Sequence, residues 1–317
     1  MSNLPPAPTY KSDKQSVAPA GTTVTDEARS GGLLFLGCLA TEVSTGTVDL
    51  PCFPEIVIRI RNALADPNTT TEHTVTIVGA EPRLAARLLQ TANSAAFNHS
   101  GKPLTDLRTA ITRLGHQLVQ SAAMAYAVQQ MKDEQSLRSI VKPLSLLWKR
   151  SIAVASISQV VAGRTKVSSD EAFLTGLLHG IGRLYIMVRA IGKLGQFGDQ
   201  KSFMELVSGW HASIGKAVLE NWGFAEEMCE AVGDQGERER RTRRPANLSD
   251  VLIASIALSE SLGTPAPRVI DLDGVGPFST IGLSADDCSA ILRQAEHQLE
   301  SLQEALGADP PSKGGAR

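Results

Sequence analysis

Apolar residues in most of this chain recur every three or four positions, the spacing that places them on one face of an α-helix. After Pro82, for example, Leu84, Leu88 and Ala92 lie four residues apart, and proline is well tolerated in the first turn of a helix. No stretch shows the sustained alternation of apolar and polar residues that marks a half-buried β-strand. The pattern therefore predicts an all-α protein, a multi-helical bundle.

The same spacing predicts helices along the chain, beginning with an apolar segment at 32–40 that extends to about Ser44, before Gly46. The proline motif at 50–54 is expected to be extended, because the residue before a proline avoids the helical conformation. The further predicted helices cover about 55–64, 82–93, 105–131 with a break near Gly115, 143–163, 168–189, 202–221, 224–233, 249–262 and 285–305. Residues 192–201 and 236–249 are interpreted as insertions between helices of one body.

The two ends of the chain differ in composition from this helical part. Residues 1–30 and 306–317 are rich in small and polar residues and proline, without an apolar period, so both are predicted to be disordered. One domain is expected between them, over residues 31–305. The segment at 32–40 is shorter than the roughly 20 apolar residues that cross a bilayer, so we expect no membrane association. A targeting signal is the alternative for this segment.

Charge and cysteine content narrow the function classes. Lys and Arg number 31 against 33 Asp and Glu, and this near balance gives no general reason to expect a nucleic-acid or anionic-membrane partner. The 4 cysteines lie far apart and form no C-x-x-C pair, which argues against a cysteine zinc site and a secreted disulfide framework. Reduced thiols in the cytoplasm are the expected state.

Three blocks of motifs follow one another along the chain. The first is the Leu-Pro-x-x-Pro motif at 50–54, followed by Asp66-Pro67. The second is EPxLAARLLxxANSA at 81–95, followed by RTAITRLG at 108–115. The third is LWKRS at 147–151 and EAFLTGLLHGIG at 171–182, with WHAxIG at 210–215 and NWG at 221–223 after it. In their joint order and spacing these blocks resemble the HDOD family, the HD-related output domains of bacterial signalling proteins.

The resemblance covers about residues 48–263. It implies an all-helical domain that passes a signal to protein partners through its helical surfaces. Members of the parent HD superfamily hydrolyse phosphate esters with a metal held by a histidine, a His-Asp pair and a later aspartate. Imidazole and carboxylate groups suit this task because they bind a divalent ion, which activates water and offsets the charge of the phosphate.

The sequence departs from that ligand pattern. By this resemblance, His179-Gly180 lies at the position of the His-Asp pair, and glycine has no side chain that could bind the metal. The upstream histidine position falls near Arg150, whose fixed positive charge repels a metal ion. We therefore predict a degenerate HD site, with no catalytic residue, no bound metal and no cofactor.

Further positions of the degenerate site lie downstream. Where many relatives have paired histidines this sequence reads Asp234-Gln235, and Glu260 falls near the last aspartate, where it could still be a ligand. His179 and His211 are interpreted as structural residues. The alternatives are a rebuilt metal site and a pocket in which Arg150 and the histidines bind an anionic small molecule.

Two other motifs have a chemical alternative to a structural role. Gly176, Gly180 and Gly182 lack the strand and the lysine of a phosphate-binding loop and are interpreted as sites of close helix packing. The charge run at 237–244 could contact phosphate, RNA or an acidic partner, although we interpret it as a solvated loop. Its candidate anion contacts are Arg238, Arg240, Arg241, Arg243 and Arg244.

The preferred hypothesis is a non-catalytic signal-transduction output or scaffold domain that acts through protein–protein contacts. The first alternative is a metal-dependent phosphohydrolase, for example a cyclic-nucleotide phosphodiesterase. The second alternative is a regulator that binds a nucleotide or nucleic acid. A nucleotide second messenger is one candidate ligand, whereas nucleic acid is not an expected partner.

Overall fold

The part of the chain that the structure describes is built from α-helices and two short 3₁₀ helices, with no strand. This computed structural model describes residues 26–46, 60, 63, 69–94, 98, 103–133, 135–241, 245–262 and 270–305. The predicted all-α fold is therefore confirmed. Most of the predicted helix at 55–64, the motifs at 50–54 and 66–67, and residues 1–25 and 306–317 lie outside the described residues.

Twelve α-helices run through the described ranges. They are α1 (Asp26–Ser44), α2 (Thr71–Gly79), α3 (Pro82–Asn93), α4 (Leu107–Asp133), α5 (Val141–Ala162), α6 (Ser169–Leu178), α7 (Ile181–Arg189), α8 (Gln200–Asn221), α9 (Glu226–Asp234), α10 (Leu248–Ser259), α11 (Gly276–Ile281) and α12 (Ala285–Ala305). The 3₁₀ helices are Gln135–Ile140 and Leu194–Phe197. As predicted, α4 is kinked at Gly115, where φ is 73°. The apolar spacing does not predict α2 or α11, which are short.

The core is centred on α5. Every residue from 151 to 158 is buried, because α5 packs against α6, α10 and α12. Where α5 and α6 approach most closely, a Cβ atom on Gly176 would lie only 2.7 Å from the Cα atom of Ala155. No side chain fits there, so the interpretation of this glycine as a site of close helix packing is confirmed.

The predicted single helix at 168–189 is instead two helices, α6 and α7, which meet at His179 and Gly180. Gly180 has φ −87° and ψ 2°, outside the range of a regular helix. The apolar spacing continues through the break because both short helices are largely buried. The break lets the first turn of α7 pack directly on α8, where a Cβ atom on Gly182 would overlap the carbonyl oxygen of His211.

Helix α1 begins at Asp26, inside the segment that composition assigns to a disordered end, and it ends at Ser44 as predicted. The ring of Phe35 lies edge-on to that of Phe197, with 5.1 Å between the centroids. Phe197 is buried, so residues 192–201 contribute to the core instead of forming only a surface insertion. None of the described helices is long and apolar enough to cross a membrane.

Candidate functional site

His179 lies at the junction of α6 and α7 and is fully buried. Its Nδ1 atom is 2.7 Å from the carbonyl oxygen of Gly176, which can only accept, so Nδ1 carries the proton and Nε2 carries the lone pair. Nε2 has no hydrogen-bond partner among the described residues. Burial lowers the pKa of His179 to about 3, with smaller contributions in the same direction from Arg183 and Arg150. The imidazole is therefore neutral at physiological pH.

Gly180 faces side chains of α5 that would have to shift to admit a Cβ atom. A Cβ atom on this residue would lie 2.8 Å from a methyl carbon of Leu147 and 3.2 Å from the hydroxyl oxygen of Ser151. An aspartate at this position would therefore require the side chain of Leu147 to move.

His211 on α8 has a different hydrogen-bonding state. Its Nε2 atom is 2.8 Å from an Nη atom of Arg183, and a guanidinium can only donate. Nε2 therefore accepts, which places the proton on Nδ1, and that atom has no hydrogen-bond partner among the described residues. Burial lowers the pKa of His211 to about 3, and Arg183 adds to the effect. The only lone pair that this neutral imidazole offers to a ligand is already occupied.

Two arginines bring positive charge to these histidines. Arg183 lies one turn after His179 on α7, and burial followed by the charge of Arg150 lowers the pKa of its guanidinium to about 10. Arg150 on α5 also lowers the pKa of both histidines, as a nearby positive charge does. No carboxylate lies within 4.0 Å of Arg183 in the described part of the chain. Arg150, by contrast, lies 3.9 Å from the carboxylate of Glu260.

The downstream positions of the predicted site are held by structural contacts. Asp234 accepts a hydrogen bond of 2.9 Å from the hydroxyl of Ser249 and forms an ion pair with Arg240. The buried amide of Gln235 donates to the carbonyl oxygen of His179 at 3.1 Å. This bond connects the end of α9 to the junction of α6 and α7. Glu260 is half-exposed and forms an ion pair with Arg238.

The residues that face this site do not fit the metal of the HD superfamily. Among the described residues, no group of three His, Cys, Asp or Glu side chains is arranged to hold a metal ion. Arg183 occupies the lone pair of His211, and arginine partners neutralise both acids. Because Arg150 and Arg183 would also repel a divalent cation, the donor set and the charge both oppose metal binding.

Sequence comparison places this site in a known family. The model of the HDOD domain matches residues 50–237. The chain belongs to the HDOD family. The matched range contains the break at His179 and Gly180. It also contains Arg150, Arg183 and Asp234.

Similar proteins agree with the HDOD fold. An uncharacterised protein of Treponema pallidum (strain Nichols) is 22% identical over 286 residues, covering 84% of this chain and 51% of that protein, so this chain spans about half the length of its relative. A solved structure from Shewanella amazonensis SB2B, provisionally named a metal-dependent phosphohydrolase, has a TM-score of 0.67 at 22% identity and covers 87% of this chain and 99% of its own. A second solved structure, from Marinobacter aquaeolei VT8, is provisionally named a signal transduction protein. It has a TM-score of 0.57 at 20% identity, and the match covers 90% of this chain and 67% of that chain.

The arginine run of this HDOD domain is divided by the fold. Arg238 pairs with Glu260, and Arg240 pairs with Asp234, so the first two arginines of the run contact the two acids described above. Arg241 is exposed. Arg243 and Arg244 lie outside the described residues.

Arg183 is the residue of the site that sequence reasoning missed. It does not occupy a position of the metal-ligand pattern, and the single predicted helix at 168–189 gives it no special place. Its spacing four residues after His179 is the signal that could have identified it, because residues four apart lie on the same face of a helix. In the structure the charge of Arg183 lowers the pKa of His179, although a break in the helix separates the two residues.

Proposed function

We propose that this chain is a non-catalytic HDOD signalling domain, which acts through protein–protein contacts and hydrolyses no phosphate ester. The observation that carries the proposal is the hydrogen bond from Arg183 to His211, 2.8 Å long, beside a glycine in place of the aspartate. A metal-dependent hydrolase needs lone pairs and negative charge at this point. This site offers guanidinium groups instead.

The remaining acids support the same proposal. Asp234 and Glu260 are already paired with Arg240 and Arg238, so a metal ion at either carboxylate would lie beside a fixed positive charge. The neutral Nε2 atom of His179 is the one histidine lone pair left. One imidazole next to two arginines is a poor set of ligands for a divalent ion.

Exposed apolar side chains near α1 support contact with a protein partner. Leu33 and Leu34 on α1 are 68% and 73% exposed. Helix α1 packs against the 3₁₀ helix that carries Leu194 and against α8, which carries Met204, and these two side chains are 53% and 54% exposed. Contiguous exposed apolar patches mark interaction surfaces, and we place such a patch where α1, the 3₁₀ helix and α8 adjoin. A solved neighbour with the same fold carries a name from signal transduction, which agrees with this role.

The catalytic part of the proposal is tested by metal analysis and by assays of phosphodiester hydrolysis on the purified protein with added Mn²⁺ or Mg²⁺. We expect no stoichiometric metal, no turnover, and an unfolding temperature that a chelator leaves unchanged. Turnover that disappears in the His179→Ala variant would overturn the proposal and favour the metal-dependent phosphohydrolase.

The proposed protein–protein contact is tested by crosslinking in the native cell, with identification of the captured proteins by mass spectrometry. Leu33→Glu/Leu34→Glu should lose the captured partner, because charge is placed in the apolar surface of α1. Leu146→Glu is the matched control, since Leu146 is 69% exposed on α5, a different helix from those against which α1 mainly packs. Equal capture by both variants would contradict a partner surface at α1.

A further inference from the structure

An open groove of about 530 Å³ lies beside the C-terminal end of α5, where three separate parts of the chain meet. Its lining comes from the turn at 164–166, from Pro245 and Ala246 before α10, and from Thr280 and Ile281 in α11. None of the positions of the degenerate HD site lines this groove. The α5–α11 groove is therefore a separate surface of the domain.

The turn at 164–166 is fixed by hydrogen bonds and an ion pair. The hydroxyl of Thr165 donates to a carbonyl oxygen in the last turn of α5 at 2.9 Å and accepts from the backbone nitrogen of Val167 at 3.1 Å. Arg164 pairs with Asp287 of α12, so the charges of these two side chains offset each other. This side of the groove is formed before any ligand binds, which lowers the entropy cost of binding.

Two further cations leave the groove with a positive charge. Lys166 lines it, is exposed, and has no carboxylate within 4.0 Å in the described part of the chain. Arg241 is also exposed and forms no ion pair with a described residue. Its Cγ atom lies 3.0 Å from the Cβ position of Gly276, and the carbonyl oxygen of Gly276 accepts from the hydroxyl of Thr280 at 3.4 Å. Arg241 therefore lies at the edge of the groove, one helical turn from its lining.

The same groove has an apolar part. Pro245, Ala246 and Ile281 line it, and Ile281 is partly buried against the core. Apolar surface next to exposed cations suits a peptide that carries both apolar side chains and carboxylates. Among the described lining residues there is no aromatic side chain on which a nucleic-acid base could stack. The chemistry of the groove thus favours an acidic peptide over a single-stranded nucleic acid.

The two ends of the chain do not complement this charge. Residues 1–25 contain two lysines and one aspartate, and residues 306–317 contain one lysine, one arginine and one aspartate. The side chains of each segment thus carry a net positive charge, which Lys166 and Arg241 repel. An acidic segment of another protein fits the groove better.

We propose that the α5–α11 groove is a docking site for an acidic peptide segment of a partner protein. Carboxylates of the peptide pair with Lys166 and Arg241, and an apolar side chain packs on Pro245 and Ile281. This docking site rests on the proposed function, because it names a kind of partner for a domain that acts through protein contacts. Helix α1 packs mainly against other elements, so the groove is a second contact surface, apart from the one at α1.

The test begins with selection of binders to the purified full chain from a random peptide library displayed on phage. We expect the selected peptides to be enriched in aspartate and glutamate and to contain apolar residues. Fluorescence anisotropy then compares the most frequent peptide with a version whose carboxylates are replaced by amides, and with a single-stranded DNA oligonucleotide. Both should bind more weakly than the acidic peptide. Added salt should weaken binding of the acidic peptide, because it screens exposed charges.

Lys166→Gln is the main variant, since its exposed side chain can change without loss of the fold. Loss of one exposed ion pair should weaken peptide binding by roughly two- to fivefold. The double charge reversal Lys166→Glu/Arg241→Glu should weaken it by more than about tenfold, because like charges then face each other. Lys142→Gln is the matched control, because Lys142 is also exposed but lies at the opposite end of α5, about 30 Å along the helix. Thermal unfolding verifies that each variant is folded.

The docking site would be overturned by selected peptides without an excess of acidic residues, or by equal weakening in Lys166→Gln and Lys142→Gln. Tighter binding of the DNA than of the peptide would overturn it in favour of nucleic acid. Self-association in sedimentation that Lys166→Glu abolishes would make a second copy of this chain the occupant. None of these results bears on hydrolysis or on capture through α1. Conversely, phosphodiester turnover with Mn²⁺ would contradict the proposed function and leave the peptide measurements unchanged.

Discussion

Arg183 donates a hydrogen bond to the Nε2 atom of His211 across 2.8 Å, and this contact joins α7 to α8. Because the guanidinium can only donate, the imidazole is neutral and carries its proton on Nδ1. The bond occupies the lone pair with which His211 could bind a metal. The contact also places a positive charge beside His211, which lowers the pKa of its imidazole further.

Removal of Arg183 should raise the pKa of His211. In Arg183→Met a positive neighbour is lost and Nε2 is released, so protonation of the imidazole becomes less unfavourable. The measurement is an NMR titration of the histidine ring nitrogens, which also reports the tautomer. Arg164→Met should leave His211 unchanged. An unchanged titration of His211 in the Arg183 variant would contradict the contact.

Acid should destabilise the protein through its two buried histidines. Both have a pKa lowered from 6.5 to about 3 in the folded chain, so only the unfolded chain takes up their protons between these values. Their contribution to stability is fully present above about pH 6.5 and is lost as the pH falls toward 3, by at most about 1.4 kcal/mol per pH unit for each histidine.

Urea unfolding at a series of pH values measures this dependence. His179→Gln should remove the uptake of about one proton and therefore reduce the slope of unfolding free energy against pH. This readout is independent of how much the substitution changes the stability at neutral pH. The same slope in the wild type and the variant would refute a low pKa for His179.

Restoring the aspartate of the His-Asp pair should not restore hydrolysis. In Gly180→Asp the new side chain meets Leu147 and Ser151, and overpacking of this kind costs about 1–3 kcal/mol of unfolding free energy. Arg150 and Arg183 also remain. Gly180→Ala separates the cost of the Cβ atom from that of the carboxylate and should be less destabilising. Metal-dependent turnover by Gly180→Asp would show that the arginines do not block the site.

Gly182 and Gly209 should respond in opposite directions to alanine. A Cβ atom on Gly182 would lie 2.6 Å from the backbone nitrogen of Gly215, so Gly182→Ala forces α7 and α8 apart and should cost about 1–3 kcal/mol. Gly209 lies inside α8 with no atom within 4 Å of its Cβ position, so Gly209→Ala should stabilise by about 1 kcal/mol. Denaturant unfolding measures both. A neutral Gly182→Ala would disprove the close approach.

Most of the fold can be predicted from the sequence because helices bury apolar faces at a regular spacing. α3 begins at Pro82, α4 is kinked at Gly115 and α8 ends at Asn221, each within a few residues of the prediction. The spacing fails at Gly180, because nearly all side chains on both sides of the break are buried and the apolar pattern continues unchanged. It also fails to predict α2, which is rich in β-branched residues that are typical of strands, and α11, which has only 6 residues.

The sequence by itself determined the family and the all-α class, and it predicts glycine at 180 and arginine at 150 as substituted ligand positions. These follow from residue type and order alone. The tertiary structure decided that Arg183 contacts His211 and that arginines from the charge run pair with Asp234 and Glu260. It also decided the tautomers of the two histidines. The physical reason is that hydrogen bonds, ion pairs and burial depend on which helices pack together, and residues far apart in the chain meet only in the folded bundle.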